Sequence, residues 1–563
     1  MKVAILGAGP SGLATLKYLL AAEKAFQIKP IEVHVFEAED LIGGTFRYRT
    51  YEDAELVSSK QLTTFSDFRC DVGEPDFLQA ERYCKYLENY CTRFNLWPHI
   101  RLSTKVTSIR RKQNGGHIVT FCSKDGSSDD FECDAGSSNV PIVMHSSEFK
   151  SKTQFGTDKC IMVLGSGETA MDISYMAVTS QTKSVTMCHR DGFFCAPKRV
   201  PDPVIFGMED PNKPLNVPVD VSQASLFDTA YVHRWLRDSP LLWIYYDRFI
   251  KYTLWLVSGT SGGLDQWVGT IPKERYHASK ILFNKSNKAI PYISAPYRNY
   301  TWLQRIRSRI IQVPLPDTRD RKIDLAPWPK YIDEEGVVHF KDNGRPEYQR
   351  MRDIKCKPDV LIFATGYIQR FPFLDETYPT SAQANIRSVW KDDDPSVGFI
   401  GFVRPSFGAI PPLAEFQAQL WTLAILHRLP NALKPEDNYC LHTPPTARIH
   451  YGVDHESYAY QLALDVGSAP SIWEVAQHGW KVLLVWALGV NFNTKFRLVG
   501  PWKDDTAPDI MKTELWETIT RRGGFFGHIT LSGIPMLVFG TLSLFCYILS
   551  GLTSAMIWIV NQI

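Results

Sequence analysis

Six residues near the start of the chain, Gly7-Ala8-Gly9-Pro10-Ser11-Gly12, have the types and spacing that hold a pyrophosphate. The first glycine makes a tight turn after a strand, the second lets a diphosphate approach the backbone, and the third lets the following helix pack closely. The unpaired N–H groups at the start of that helix then face the phosphates. Glu37 closes the next alternating apolar run, where a carboxylate holds both ribose hydroxyls and repels a 2′-phosphate. This loop therefore calls for FAD or NAD rather than NADP. A second loop, Gly165-Ser166-Gly167-Glu168-Thr169-Ala170, puts alanine in the third place, which the pattern allows. The strand after it ends at His189-Arg190, and a guanidinium pairs in bidentate fashion with a 2′-phosphate, so this loop calls for NADPH. Lys198 is a second cation for the same site. Asp172 either assists at the loop or complements the helix dipole. A chain that holds FAD and NADPH together passes a hydride from nicotinamide to flavin. No cysteine precedes Cys70, and the turn Gly43-Gly44-Thr45-Phe46 carries none. That argues against a disulfide reductase and leaves molecular oxygen as the electron acceptor.

These residues need elements to position them. Residues 2–6 read as a buried strand, 11–22 as a helix and 31–37 as a second strand, a βαβ unit of ordinary length. A second such unit begins at Lys159, with strands over 160–164 and 184–188. The expected fold class is α/β, with two Rossmann-like dinucleotide-binding domains, an irregular insertion and a C-terminal transmembrane helix. FAD-binding segments are expected over 1–150 and 356–530, NADPH-binding segments over 151–200 and 301–355, an aromatic insertion over 201–300 and a tail anchor over 531–563. The length of 563 residues, with 44% hydrophobic and 22% charged residues, excludes a disordered or coiled-coil chain. With 62 Lys and Arg against 60 Asp and Glu, the net charge of +2 lacks the basic excess of a nucleic-acid binder. Eleven cysteines, never spaced as CxxC, give no zinc motif and no disulfide framework, so no metal is expected. No Asp, Glu, Lys or Arg follows Arg522, and Ile534 to Val560 is an uncharged, mostly apolar run of 27 residues. Roughly 20 apolar residues cross a bilayer. Arg521 and Arg522 flank the run and favour placing everything before it on the cytosolic side. The Trp- and Tyr-rich stretch 239–257 is either packed on the body or docked in the headgroup layer.

The chain resembles the flavin-containing monooxygenase (dimethylaniline monooxygenase-like) family of Class B flavoprotein monooxygenases over essentially its whole length. The resemblance is carried by Gly7–Gly12, Glu37, Gly43-Gly44-Thr45-Phe46, Gly165–Ala170, Ala364-Thr365-Gly366-Tyr367, Phe496-Arg497-Leu498-Val499-Gly500-Pro501 and the apolar tail. It implies that NADPH reduces FAD, that O2 forms a C4a-hydroperoxyflavin, and that a small lipophilic amine or sulfide is N- or S-oxygenated at an endoplasmic reticulum membrane. It implies FAD contacts from Gly44, Thr45, Phe46, Val106, Thr365 and Gly366. Three departures stand out. His145 and Phe149 fit the second half of the family signature FxGxxxHxxx(F/Y), but Asn139 and Pro141 stand where Phe and Gly belong. In Leu56-Val57-Ser58-Ser59-Lys60, Val57 occupies the place of a family Asn that contacts flavin and nicotinamide, with Ser58 as the nearest polar substitute. A strand with its turn is missing between Asp134 and Val140. Two alternatives to oxygenation therefore stay open: an uncoupled NADPH oxidase releasing H2O2, and a membrane-tethered protein without activity.

Overall fold

The computed structural model describes the chain except residues 114, 124–139, 191, 194, 196, 201–203, 207–213, 229, 238, 240–283, 295–301, 313–316, 437, 442–449 and 561–563. The departure expected near 134–140 and nearly all of the 239–257 stretch lie outside the described residues.

The chain begins as its alternation predicts. Strand β1 (Lys2–Leu6) leads through the first glycine loop into helix α1 (Pro10–Phe26) and back to β2 (Glu32–Phe36). Proline at the first helical position costs no hydrogen bond, and Gln27 ends the helix in the left-handed region, its N–H bonded to the Glu23 carbonyl. β1 and β2 pair in parallel, Lys2 opposite Glu32 through Leu6 opposite Phe36. β2 then pairs in parallel with the short β3 (Ile100–Arg101). An antiparallel hairpin follows, β4 (Thr104–Arg111) with β5 (His117–Ser123), bulged between Val106 and Ser108.

A second, all-parallel sheet has five strands. In chain order they are β6 (Ile142–His145), β7 (Cys160–Leu164), β8 (Ser184–His189), β9 (Ile323–Pro327) and β10 (Val360–Phe363), arranged β9-β8-β7-β10-β6. Parallel neighbours need long crossovers. Here helix α2 (Glu168–Thr179) makes the one from β7 to β8. The edge strand β6 and its neighbour β10 are bonded into this sheet although their residues lie outside the ranges 151–200 and 301–355.

Two apolar cores follow from these sheets. The first packs Leu13, Leu16 and Leu19 of α1 with Val33 and Val35 of β2, and with Leu413 and Leu420 of helix α3 (Ile410–Ile425). The second packs Ile161 and Val163 against Met171, Val185, Ile323 and Ile362. Each such side chain, fully buried, contributes roughly 1.5–3 kcal/mol.

At the C-terminal end, Ile529–Trp558 is a helix of 30 residues, apolar and long enough to cross a membrane. Its first half docks on the body. Phe539 is buried, Ser532 Oγ accepts from Arg522 Nη1 at 2.9 Å, and Ser543 Oγ accepts from the His233 backbone N–H at 3.0 Å. Beyond it Leu544, Phe545, Ile548, Leu552, Met556 and Trp558 are exposed. Both arginines that precede the helix are engaged by the body. Arg521 is held by Asp76 at 2.9 Å, and Arg522 is fully buried, giving its remaining donors to the carbonyls of Thr518, Gln223 and Leu488.

Candidate functional site

In the first glycine loop, a Cβ on Gly12 would collide with the Gly7 carbonyl oxygen, and Gly7 itself turns at φ +97°. The turn Gly43-Gly44 lies across it. The Gly43 N–H donates to the Ala8 carbonyl at 3.0 Å, and a Cβ on Gly44 would stand 3.2 Å from the Gly9 Cα. Gly44 leads into the short helix Thr45–Tyr48, and Phe46 packs edge-on against Tyr83 at 4.8 Å. Glu37 is buried and shapes the loop directly. Its Oε2 accepts from the Ala8 N–H at 2.6 Å and its Oε1 from the Glu39 N–H at 3.0 Å. Each carboxylate oxygen retains acceptor capacity for a ribose hydroxyl. Pro10 and Ser11 open α1 beside it. Val106, half-buried, lies near the start of β4, whose first residue, Thr104, donates its N–H to the Glu37 carbonyl at 2.7 Å.

The sequence did not single out Gly401, which sits against this loop at φ +86°, so close that a Cβ there would collide with Ser11 Oγ. Its N–H donates to Gln417 Oε1 of α3 at 2.7 Å. The only local signal for it is a glycine inside the apolar run Phe399-Ile400-Gly401-Phe402.

The second loop is built the same way. The Gly165 N–H donates to the Cys188 carbonyl at 3.0 Å, and a Cβ on Gly165 would meet the Ala364 carbonyl oxygen. Gly167 caps α2 and has open space around it. Thr169 and Ala170 continue into the helix, with Ala170 buried in the second core. Arg190 is exposed at the end of β8, its guanidinium 4.7 Å from the centre of the Trp328 ring. Lys198 is engaged with the segment before Val57. Its ammonium pairs with Glu55 and donates to the Leu56 carbonyl at 3.2 Å. Thr365 and Gly366 follow β10 and leave the sheet next to the second loop, where the Ala364 carbonyl lies against Gly165. The reason is the parallel ladder between Phe363 and Leu164.

Glu168 and Asp172 do not turn outward to a phosphate. Glu168 accepts the N–H groups of Lys285 and Ser286 at 2.9 and 2.7 Å, and burial raises its pKa against the pull of those donors. Asp172 accepts from Ser286 Oγ at 2.6 Å and from the Tyr51 hydroxyl at 2.7 Å. Burial, and then the Asp172 charge, raises the Tyr51 pKa.

These bonds make a seam between the two loops. Tyr51 comes from the segment after the Gly43-Gly44 turn and Asp172 from α2. Lys285 approaches Asp220 at 3.7 Å, and Asp220 Oδ2 accepts the Ser59 N–H at 2.7 Å. Asn284 Nδ2 donates to the Ser166 carbonyl at 3.0 Å. Val57 lies half-buried in this seam. The Ser58 hydroxyl is engaged with Thr63 Oγ1 at 2.7 Å. Asp220 and Asn284–Ser286 belong to the irregular middle region, where no periodicity or motif marks them. His145 packs edge-on to Tyr367 at 5.4 Å and its Nδ1 meets Ser147 Oγ, while Phe149 is fully buried against Phe155.

A model of the family described as flavin-binding monooxygenase-like matches residues 1–121 and 350–522. Among curated proteins, the chain is 50% identical to Monooxygenase cfoE of Aspergillus candidus, covering 99% of this chain and 100% of that one. It is 52% identical to Monooxygenase PC-14 of Penicillium crustosum, over 93% and 94% of the two chains. Flavin-containing monooxygenase 1 of Homo sapiens is 23% identical over 92% of each. Among solved structures, S-allyl-L-cysteine S-oxygenase from Allium sativum shares the fold with a TM-score of 0.50 and 16% identity, covering 92% of this chain and 98% of that one.

Proposed function

Because the chain belongs to the flavin-binding monooxygenase-like family and is an oxidoreductase, we propose that it is an NADPH- and O2-dependent enzyme that oxygenates nitrogen or sulfur in small lipophilic molecules. Membership of an enzyme family sets aside the alternative of a membrane-tethered protein without activity. The cofactors are FAD and NADPH. FAD is assigned to residues 1–150 and 356–530 apart from strands β6 and β10, held by Gly7, Gly9, Pro10, Ser11 and Gly12 with Glu37 on the ribose and Gly44, Thr45, Phe46, Val106, Thr365 and Gly366 around it. NADPH is assigned to 151–200 and 301–355, together with strands β6 and β10, and is held by Gly165, Gly167, Thr169 and Ala170 with Arg190 on the 2′-phosphate. Glu168 and Asp172 position the seam rather than the phosphates.

When bound, reduced FAD supplies the oxygen-activating chemistry. The chain's own residues bind, orient and exclude water. The first loop and the N-terminus of α1 supply backbone donors to a pyrophosphate, and those of α2 do the same at the second loop. The observation that carries this reading is the seam: the Tyr51–Asp172 and Glu168–Lys285 hydrogen bonds, the Lys285–Asp220 ion contact and the Asp220–Ser59 hydrogen bond join the segment after the Gly43-Gly44 turn to the second loop. Closure of that kind keeps water from the reacting centre. The apolar half-helix after Ser543 is assigned as the anchor in a membrane, the endoplasmic reticulum being the site implied by the family resemblance, with the body on the cytosolic side.

The test is to express the full chain, record its visible spectrum, and follow NADPH oxidation with a tertiary amine and a thioether. Oxygenated product in proportion to NADPH consumed supports the proposal. A second reading, an uncoupled NADPH oxidase, is favoured by Val57, which offers no hydrogen bond. It predicts flavin-loaded protein that converts NADPH into H2O2 alone, and a Val57→Asn variant that lowers that yield. A protein that carries no flavin defeats both readings.

A further inference from the structure

The α-helical part of the tail, Thr541–Val560, has 20 residues, which at 1.5 Å each is about 30 Å, the thickness of a bilayer's hydrocarbon. Asn561 and Gln562 follow it, and no residue within it carries a charge. A helix with so little length to spare fixes where the membrane begins. The near boundary falls at Thr541, because a boundary further along would leave too few residues to cross. Tilt shortens the span and draws the boundary back towards Met536, never forward. Ser543 then lies about 3 Å inside that boundary and Tyr547 about 9 Å inside it.

A part of the body goes down with them. The His233 N–H donates to Ser543 Oγ at 3.0 Å, and the His233 ring stands edge-on to Tyr547, 4.6 Å between centres. The segment that brings His233 there is pinned to the body, since the Tyr231 ring lies 4.4 Å from that of Tyr460 and 5.3 Å from that of Trp486. It continues into the short helix Arg234–Arg237. Trp235, its ring 4.9 Å from that of His233, is 45% exposed, and Arg234 beside it is exposed as well. An indole with one side on protein and the other open suits the layer between headgroups and acyl chains, where its rings meet hydrocarbon and its N–H meets water. An arginine next to it reaches back to the phosphates on its flexible stem. Leu537, exposed on the tail itself, stands about 6 Å before Thr541, at headgroup level. Depth, aromatic type and charge thus agree on one occupant, phospholipid. We propose that the helix Arg234–Arg237 is a second membrane contact, Trp235 lying in the headgroup layer of the near leaflet and Arg234 meeting lipid phosphates, so that the body rests on the bilayer instead of standing off it on the tail. The proposal rests on the reading of the tail as a membrane anchor, and the contact uses residues ahead of the stretch 239–257. One tryptophan and one arginine do not hold a protein on a membrane by themselves. With the tail in place they set the height and orientation of the body.

The test uses the full-length, flavin-loaded protein in vesicles of phosphatidylcholine and phosphatidylserine. The photoreactive residue p-benzoylphenylalanine replaces Trp235, Arg234, Phe545 or Tyr331, one at a time, and the adducts formed on illumination are identified by mass spectrometry. Phe545 is exposed on the tail, and Tyr331 is exposed on the segment that follows β9. Lipid adducts are expected at Phe545, Trp235 and Arg234, and none at Tyr331. Both Trp235 and Arg234 are exposed, and whichever variant keeps the wild-type flavin content carries the result. Lipid adducts at Phe545 without any at Trp235 or Arg234 overturn the proposal and leave the anchor standing. Adducts to protein instead of lipid at those two sites also overturn it, since a second copy of the chain would then cover this face. Lipid adducts as frequent at Tyr331 as at Trp235 do the same, the labelling then being indifferent to position. Absence of lipid adducts at Phe545 overturns the anchor reading itself.

Discussion

Removal of the Arg190 guanidinium gives the most direct reading of cofactor choice. Arg190 stands exposed at the C-terminal end of β8, beside the second glycine loop, with its guanidinium over Trp328, 4.7 Å from the ring centre. Its backbone carbonyl is held by Asn343 Nδ2 at 3.3 Å, so the arginine is fixed at both backbone and head. A charge-assisted bond of guanidinium to phosphate contributes about 1.5–3 kcal/mol. Exposure to solvent argues for the lower part of that range, about 1.5–2 kcal/mol, which is roughly 10- to 30-fold in a ratio of specificity constants. Arg190→Ala is therefore expected to lower the NADPH-to-NADH ratio of kcat/KM by that factor, almost wholly through NADPH. Arg190→Lys should fall between, since it keeps the charge and loses the planar fork. Trp328→Ala removes only the ring beneath the cation, about 0.5–1 kcal/mol or roughly two- to fivefold. Steady-state oxidation of the two reduced nucleotides measures all three. An unchanged ratio in Arg190→Ala refutes the phosphate contact, whatever happens to the absolute rates.

Glu37→Ala removes two carboxylate bonds that shape the first loop as well as the ribose contact, and should lower retained flavin about tenfold or more; the flavin-to-protein absorbance ratio of purified protein checks it. A chain ending at Ser543 keeps Ser532, Phe539 and Ser543 on the body and should move to the soluble fraction with its thermal midpoint nearly unchanged. A chain ending at Gly524 leaves the buried Arg522 short of a partner and should unfold several degrees lower, at a cost of about 1–3 kcal/mol. Lys495 donates to the carbonyls of Trp486 and Gly489, both at 2.7 Å, and burial pushes its pKa down from 10.5 to about 7. Unfolding then takes up a proton at pH values between those two, so this group adds stability as pH rises from about 7 towards 10 and loses it as pH falls back through about 7. Urea midpoints across that window should show the slope, and Lys495→Met should flatten it.

What could be read from the sequence and what could not divide along a physical line. Both cradles were legible because their requirements are local: a strand, glycines at fixed offsets and a helix, all within a few residues of one another. Gly12 against the Gly7 carbonyl and Gly165 against Ala364 are the contacts those offsets anticipate. The roles of individual acids were not legible. Glu168 and Asp172 lie in a loop and helix that read as phosphate-binding, yet their carboxylates serve residues more than a hundred positions away, Lys285, Ser286 and Tyr51. The same distance hid Asp220, Gly401 and Gln417. The partners of Arg521 and Arg522 were hidden in the same way, since Asp76, Gln223 and Leu488 lie far from them in the chain.

The segment Phe496–Pro501 shows why a motif remote from both loops still matters to the first of them. Arg497 is buried and bonds the Tyr18 hydroxyl and, at 3.2 Å, Asp67. Asp67 in turn holds Lys17 at 2.5 Å, while Glu415 of α3 accepts from Tyr18 at 2.6 Å and from Ser66 Oγ at 2.5 Å. Two cations, Lys17 and Arg497, are thus matched around the middle of α1 by Asp67, Glu415 and, at 3.5 Å from Arg497, Asp504, and the N-terminus of α1 faces the first cradle. Removing one charge of such a set leaves another uncompensated in the interior, at about 3–5 kcal/mol, whereas the apolar packing of α1 alone would tolerate small rotations of the helix. A rotation would carry Ser11 and the helix's first N–H groups away from Gly401 and from the loop they complete. The buried ion network therefore fixes the orientation of α1 rather than its existence, and this ties a segment nearly five hundred residues downstream to the geometry of the first glycine loop.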